Sequence, residues 1–64
     1  MIQWYFRFKS GNFENGYYEV GNNKELAKEL AQSEFMQDCI AQGFTPMFAE
    51  MTLCEQTELS LIHI

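Results

Sequence analysis

An α+β fold, a small antiparallel sheet of three or four strands with one helix packed on one face in the order ββαβ(β), is predicted by three observations. Residues 2–9 alternate apolar and polar side chains, Gly21-Asn22-Asn23 precedes a long helical pattern, and Gly43 closes that pattern ahead of another apolar run. Sixty-four residues make a single domain, residues 1–64, and a chain of this size buries only about 60% of its unfolded surface. Ten aromatic residues, six Phe, three Tyr and one Trp, supply the apolar area that a disordered segment lacks.

The first strand places Ile2, Trp4, Phe6 and Phe8 on one face and Gln3, Tyr5, Arg7 and Lys9 on the other. Ser10, Gly11 and Asn12 carry turn chemistry, and a second strand returns over about Phe13 to Val20. Asn15-Gly16 lies within it, so either a bulge sits there or the turn itself moves to that dipeptide. An Asn caps the helix that follows, because its side-chain oxygen accepts a first-turn amide, and the helix extends from about Lys24 to Gln42 with Gly43 as its stop. Residues 44–54 read as the next strand, with Pro46 near its start and Met47, Ala49, Met51 and Leu53 as an apolar row under the helix. Residues 55–58 are polar, and residues 59–64 form a last short strand or a tail.

The helix has an irregular apolar pattern. At about 100° per residue, Leu26, Ala27, Leu30 and Ala31 make one stripe, and Phe35, Met36, Cys39 and Ile40 make another on roughly the opposite side. Either the helix breaks near Gln32-Ser33, with Ser33 capping a second piece, or Ala27, Ala31, Phe35 and Cys39 face the sheet while Met36 and Ile40 face a second molecule. The expected core is Ile2, Trp4, Phe6, Phe8, Val20, Leu26, Ala27, Leu30, Ala31, Phe35 and Phe44, with one face of residues 47–53.

Charge is segregated along the chain. All four cations, Arg7, Lys9, Lys24 and Lys28, precede residue 29, and residues 29–64 hold six carboxylates without Lys or Arg. A formal net charge of −5 opposes binding to a polyanion, because phosphate neutralisation dominates nucleic-acid affinity. Imitation of a phosphate ladder by these carboxylates is also a poor fit, since six over 36 residues is sparse. An acidic surface that keeps the chain dispersed, or steers it to a basic patch, accounts for them better.

Cys39, Cys54 and His63 are metal-ligating types, but intervals of 15 and 9 positions lack the short pairs that hold two ligands on one turn, so no metal or other cofactor is expected. The only His lies one residue from the end of the sequence, and Glu25 with Glu29, or Glu34 with Asp38, fit solvated helix charges better than a catalytic acid and base. The expectation is a non-enzyme. Two cysteines, the lack of a leader pattern after Met1 and the lack of an apolar run long enough to span a bilayer point to the cytoplasm and away from membranes.

Three surfaces remain as candidates. Tyr5, Arg7 and Lys9, with Tyr17 or Tyr18 opposite, combine aromatic and basic side chains of the kind found at protein hot spots and on sheets that stack single-stranded bases. The acidic end of the helix, Glu34 and Asp38 with Met36 and Ile40, completes the partner-binding set. Met36 and Ile40 alternatively form the seam of a homodimer, giving a self-associating structural subunit.

The aromatic strand W-Y-F-R-F, the Y-Y-E-V strand, the helix containing E-L-A and the Gly43-Phe44 step resemble small phage- and prophage-encoded accessory proteins over about residues 2–54. The layout is similar to that of the T7-type phage inhibitors of bacterial RNA polymerase. That resemblance implies a module that binds a larger host or phage protein and inhibits or modulates it. No role of any single residue follows from it.

Overall fold

The computed structural model describes residues 1–43 and 49–58, and these form a three-stranded antiparallel sheet with one helix. The elements are β1 (Ile2–Ser10), β2 (Phe13–Gly21), α1 (Lys24–Ala41) and β3 (Glu50–Glu58), and the sheet order is β2-β1-β3. The α+β class and the order ββαβ are those the sequence predicts. Phe44, Pro46, Met47 and the segment 59–64, including His63, lie outside the described residues.

The hairpin turns at Gly11-Asn12. Gly11 has φ 62 and Asn12 a negative φ, the combination of a two-residue type II′ turn whose twist suits the flanking strands. Ser10 therefore pairs with Phe13, and the ladder proceeds without a break through Phe8 opposite Asn15 and Arg7 opposite Gly16. Neither a bulge nor a displaced turn occurs at Asn15-Gly16. The irregularity is in β3, where Leu53 pairs with Arg7 and Met51 with Phe8, leaving Thr52 as the extra residue.

That bulge separates Met51 from Leu53 and breaks the expected apolar row. Leu53 joins the open face beside Arg7 and is 38% exposed. The helix packs over β1 and β2 and does not cover β3, every residue of which is exposed except the half-buried Cys54. Residues 55–58, polar and beyond the strand expected over residues 44–54, continue the strand because β1 offers unpaired backbone as far as Ile2, which pairs with Glu58.

The core lies between α1 and the β1–β2 pair. Trp4, Phe6 and Phe8 from β1, Tyr17 from β2, and Ala27, Ala31, Phe35 and Cys39 from α1 are buried. Burying a large apolar side chain contributes about 1.5–3 kcal/mol, so the three β1 aromatics and Phe35 dominate this core. Small Ala27 and Ala31 let the helix approach the sheet, and Phe35 then reaches the rings of Phe8, Phe13 and Tyr17, with centroids 5.7, 5.5 and 6.3 Å away. The Trp4 indole N–H donates to the Gly21 carbonyl at 3.1 Å, which satisfies its polar edge at the end of β2.

The helix is continuous, so the break near Ser33 does not occur. Asn23 is the N-cap, with its Oδ1 accepting from the Leu26 amide at 3.1 Å, and Gly43 follows the last turn with φ 93. Of the two arrangements the pattern allowed, the row Ala27, Ala31, Phe35, Cys39 faces the sheet. Leu26 and Leu30, expected in the core, are exposed because they sit one position before the inward alanines and hence about 100° away. Val20 is exposed too, since it pairs with Gln3 on the face without a helix.

Candidate interaction surfaces

Three described features bear on function: the open face of the sheet, a polar border between β2 and α1, and the outward face of α1. Each follows from strand alternation or helix period acting on the register above.

On the open face, Tyr5 pairs with Tyr18, and their rings sit 4.6 Å apart at 39°. Gly16, opposite Arg7, has no side chain, and the Tyr5 ring occupies the space; a Cβ at Gly16 would overlap the Tyr5 ring and hydroxyl. Arg7 Nη1 donates to the Tyr5 hydroxyl at 2.8 Å, and Arg7 Nε lies 3.5 Å from Glu14 Oε2. The bulged Thr52 donates its hydroxyl to the same Glu14 oxygen at 2.8 Å, so Glu14 of β2 and Thr52 of β3 meet across β1.

These contacts hold the Glu14 carboxyl below its ordinary range, first through the Thr52 hydrogen bond, which desolvation opposes, and then through Arg7 and Lys9. The Arg7 guanidinium is held above its ordinary range by Tyr5 and Glu14. Arg7 thus already has an anionic neighbour, and an ion pair this exposed stabilises little. The basic patch expected from Arg7 and Lys9 reduces to Lys9, which weakens the case for stacking single-stranded nucleic acid here.

Tyr17 is not part of this patch. It pairs with Phe6 on the helix side, is buried, and donates its hydroxyl to Asp38 of α1; Tyr18 is the tyrosine beside Tyr5. Asn15 Nδ2 also approaches Asp38 Oδ2 at 3.4 Å, so Asp38, expected as a free acidic contact, is a half-buried acceptor joining α1 to β2. Burial and then the Asp38 contact push the Tyr17 hydroxyl up, and burial does the same to the Cys39 thiol.

Along the same border Glu19, opposite Trp4, faces Glu34 of α1. The shared hydrogen bond with Glu34, then burial, then like-charge repulsion raise the Glu19 pKa from 4.5 to about 7. Glu19 and Glu34 thus join β2 to α1 through a pair of carboxyls that share a hydrogen bond. Both cysteines are free thiols, Cys39 buried and Cys54 half-buried. Among the described residues no three of His, Cys, Asp and Glu come together as a metal site. No helix among them is long and apolar enough to cross a membrane.

The outward face of α1 carries the largest aliphatic side chains of the helix. Leu26 is 56% exposed, Leu30 50%, Met36 41% and Ile40 60%. Met36 and Ile40 were expected on such a surface; Leu26 and Leu30 were assigned to the core and extend it toward the helix N-terminus. The signal that could have located them is size, because two alanines opposite aromatic strands allow close packing that two leucines do not.

Comparison with protein-family models, characterised proteins and solved structures found no match. Functional inference therefore rests on the surfaces themselves.

Proposed function

We propose that this chain is a protein-binding module that acts by occupying a larger partner, with the outward face of α1 as its principal contact. The observation that carries this is the exposure of Leu26, Leu30, Met36 and Ile40 on one side of a capped, continuous helix. Isolated exposed apolar residues are ordinary, but a run of large aliphatics along one helix face is the anchor pattern of helix-in-groove recognition. Tyr18, 64% exposed beside Tyr5, and Leu53 give the open sheet face a smaller secondary patch. Inhibition or modulation of a host protein by a phage- or prophage-encoded accessory protein is the finer form of this proposal, and it rests only on the resemblance of sequence layout over about residues 2–54.

The test is affinity capture from bacterial lysate with the tagged chain, its Leu30→Asp/Ile40→Asp variant and its Arg7→Glu/Lys9→Glu variant. The expected result is one protein recovered in stoichiometric amount by the parent chain and by the sheet-face variant, and lost with the helix-face variant. Equal recovery by all three would remove the helix face as the contact. Loss with the sheet-face variant alone would transfer the contact to Tyr5, Arg7, Lys9 and Tyr18.

A further inference from the structure

Charge is distributed unevenly around α1. Taking about 100° per residue and centring on Ser33, the aliphatic side chains Leu26, Leu30, Met36 and Ile40 fall within roughly 60° of the outward direction. Leu26 with Leu30 and Met36 with Ile40 are two aliphatic pairs, each four residues apart, and together they make an apolar seam interrupted by Ser33 and Gln37. From Leu26 to Ile40 the seam is about 21 Å long at 1.5 Å per residue.

The rim is acidic on both sides. Glu25 and Glu29 flank the seam on one side, and on the other Glu34 lies about 100° from its centre, where it also meets Glu19 of β2, whereas Lys24 and Lys28 lie roughly 140–180° from the centre, on the side of the sheet. No residue after Lys28 is Lys or Arg. A second copy of this chain would set Glu29 and Glu34 against the same residues, in a chain of net charge −5. The seam therefore discriminates against itself and favours a cationic rim.

We infer that the occupant of this face is a partner protein presenting an apolar helical seam or groove rimmed by Lys and Arg. The inference rests on the outward face of α1 being the contact surface. Apolar anchors hold the partner, and the glutamates select it and speed its approach.

Three synthetic amphipathic peptides, each as long as α1, with an identical leucine seam and flanking positions filled by Lys, Gln or Glu, test this against the full chain by calorimetry. The Lys peptide is expected to bind about tenfold more tightly than the Gln peptide, with no detectable Glu-peptide binding. Raising salt from about 50 to about 300 mM should erase most of that preference. The Leu30→Gln/Ile40→Gln variant should lose binding of the Lys peptide, and the Arg7→Glu/Lys9→Glu variant should keep it. Equal binding of Lys and Gln peptides overturns the charge inference and leaves the contact face standing. Binding of no peptide, or binding that survives Leu30→Gln/Ile40→Gln, overturns both. A doubled mass in light scattering that Leu30→Gln/Ile40→Gln abolishes assigns the face to a second copy and also overturns the inference.

Discussion

The two faces of α1 carry their apolar residues in opposite order of size. Inward lie Ala27, Ala31, Phe35 and Cys39, all buried; outward lie Leu26, Leu30, Met36 and Ile40, each at least 41% exposed. If burial alone had set the helix rotation, the leucines would face the sheet, since each removes more area from water than an alanine. The strand side decides otherwise. Trp4, Phe6, Phe8 and Tyr17 already fill the space above β1 and β2, and a helix can close on that layer only through small side chains, with one ring, Phe35, inserted among the sheet aromatics. Stability thus depends on the face with less apolar volume, and the larger aliphatics of the other face stay exposed among the described residues.

The inward face gives the largest effect. Phe35→Ala removes the ring that touches Phe8, Phe13 and Tyr17, and should cost about 3–5 kcal/mol. Stability in natural domains is only about 5–15 kcal/mol, with small ones at the lower end, so much of this variant should be unfolded at 25 °C by far-UV circular dichroism. Ala31→Leu probes the same face by overfilling it. The helix has no room to receive the longer side chain, and a loss of about 1–3 kcal/mol is expected in urea denaturation. A gain in stability from Ala31→Leu would show that the helix is not tightly seated.

Glu19 and Glu34 stand on the boundary between the two faces and add a pH dependence. The folded pKa of Glu19 is raised to about 7 from 4.5, so its protonated form is favoured by folding. Its contribution is complete below about pH 4.5 and is lost as the pH rises through about 7. The chain should be more stable at about pH 5 than at about pH 8, and Glu19→Gln should flatten that slope. Glu14 acts in the reverse sense and in a lower window: its depressed folded pKa gives a contribution present above 4.5 and lost in stronger acid. Thermal melts across that range separate the two carboxyls.

Much of the fold could be read because single local signals were strong. The alternation of residues 2–9 has one interpretation and Asn23 and Gly43 bracket the helix, whereas the sequence allows a bulge or the turn itself at Asn15-Gly16, and the structure selects Gly11-Asn12 with an unbroken ladder. Three features could not be read, for related reasons. Tyr17 and Tyr18 are identical neighbours, and only the closing pair Ser10–Phe13 sends Tyr17 inward opposite Phe6 and Tyr18 outward opposite Tyr5. Met51 and Leu53 alternate correctly in sequence, and only the bulge at Thr52, which lets its hydroxyl reach Glu14, divides them between two faces. Leu26 and Leu30 outrank their alanine neighbours on any hydrophobicity scale, and their outward position depends on how much room the β1 aromatics leave. In each case a tertiary constraint selects between adjacent residues that local pattern treats as equivalent. The candidate site was half legible on the same grounds: Met36 and Ile40 were expected outside, whereas Asp38 and Tyr17 turned out to bind each other.

The outward face gives the smallest effect on folding and the sharpest test of the comparison. Leu30→Gln and Ile40→Gln each replace an exposed aliphatic by a residue of good helix propensity, on a surface that makes no described core contact. Surface changes of this kind fall within about 0.5 kcal/mol each, so the double variant should melt within about 8 °C of the parent chain. If the two faces are divided as the packing indicates, this variant loses partner capture with its stability intact, while Ala31→Leu loses stability and, wherever it remains folded, still captures. A melt lowered by 10 °C or more, on the order of 2 kcal/mol for a domain this small, would place Leu30 or Ile40 in the core and return the helix to the rotation that hydrophobicity alone would choose.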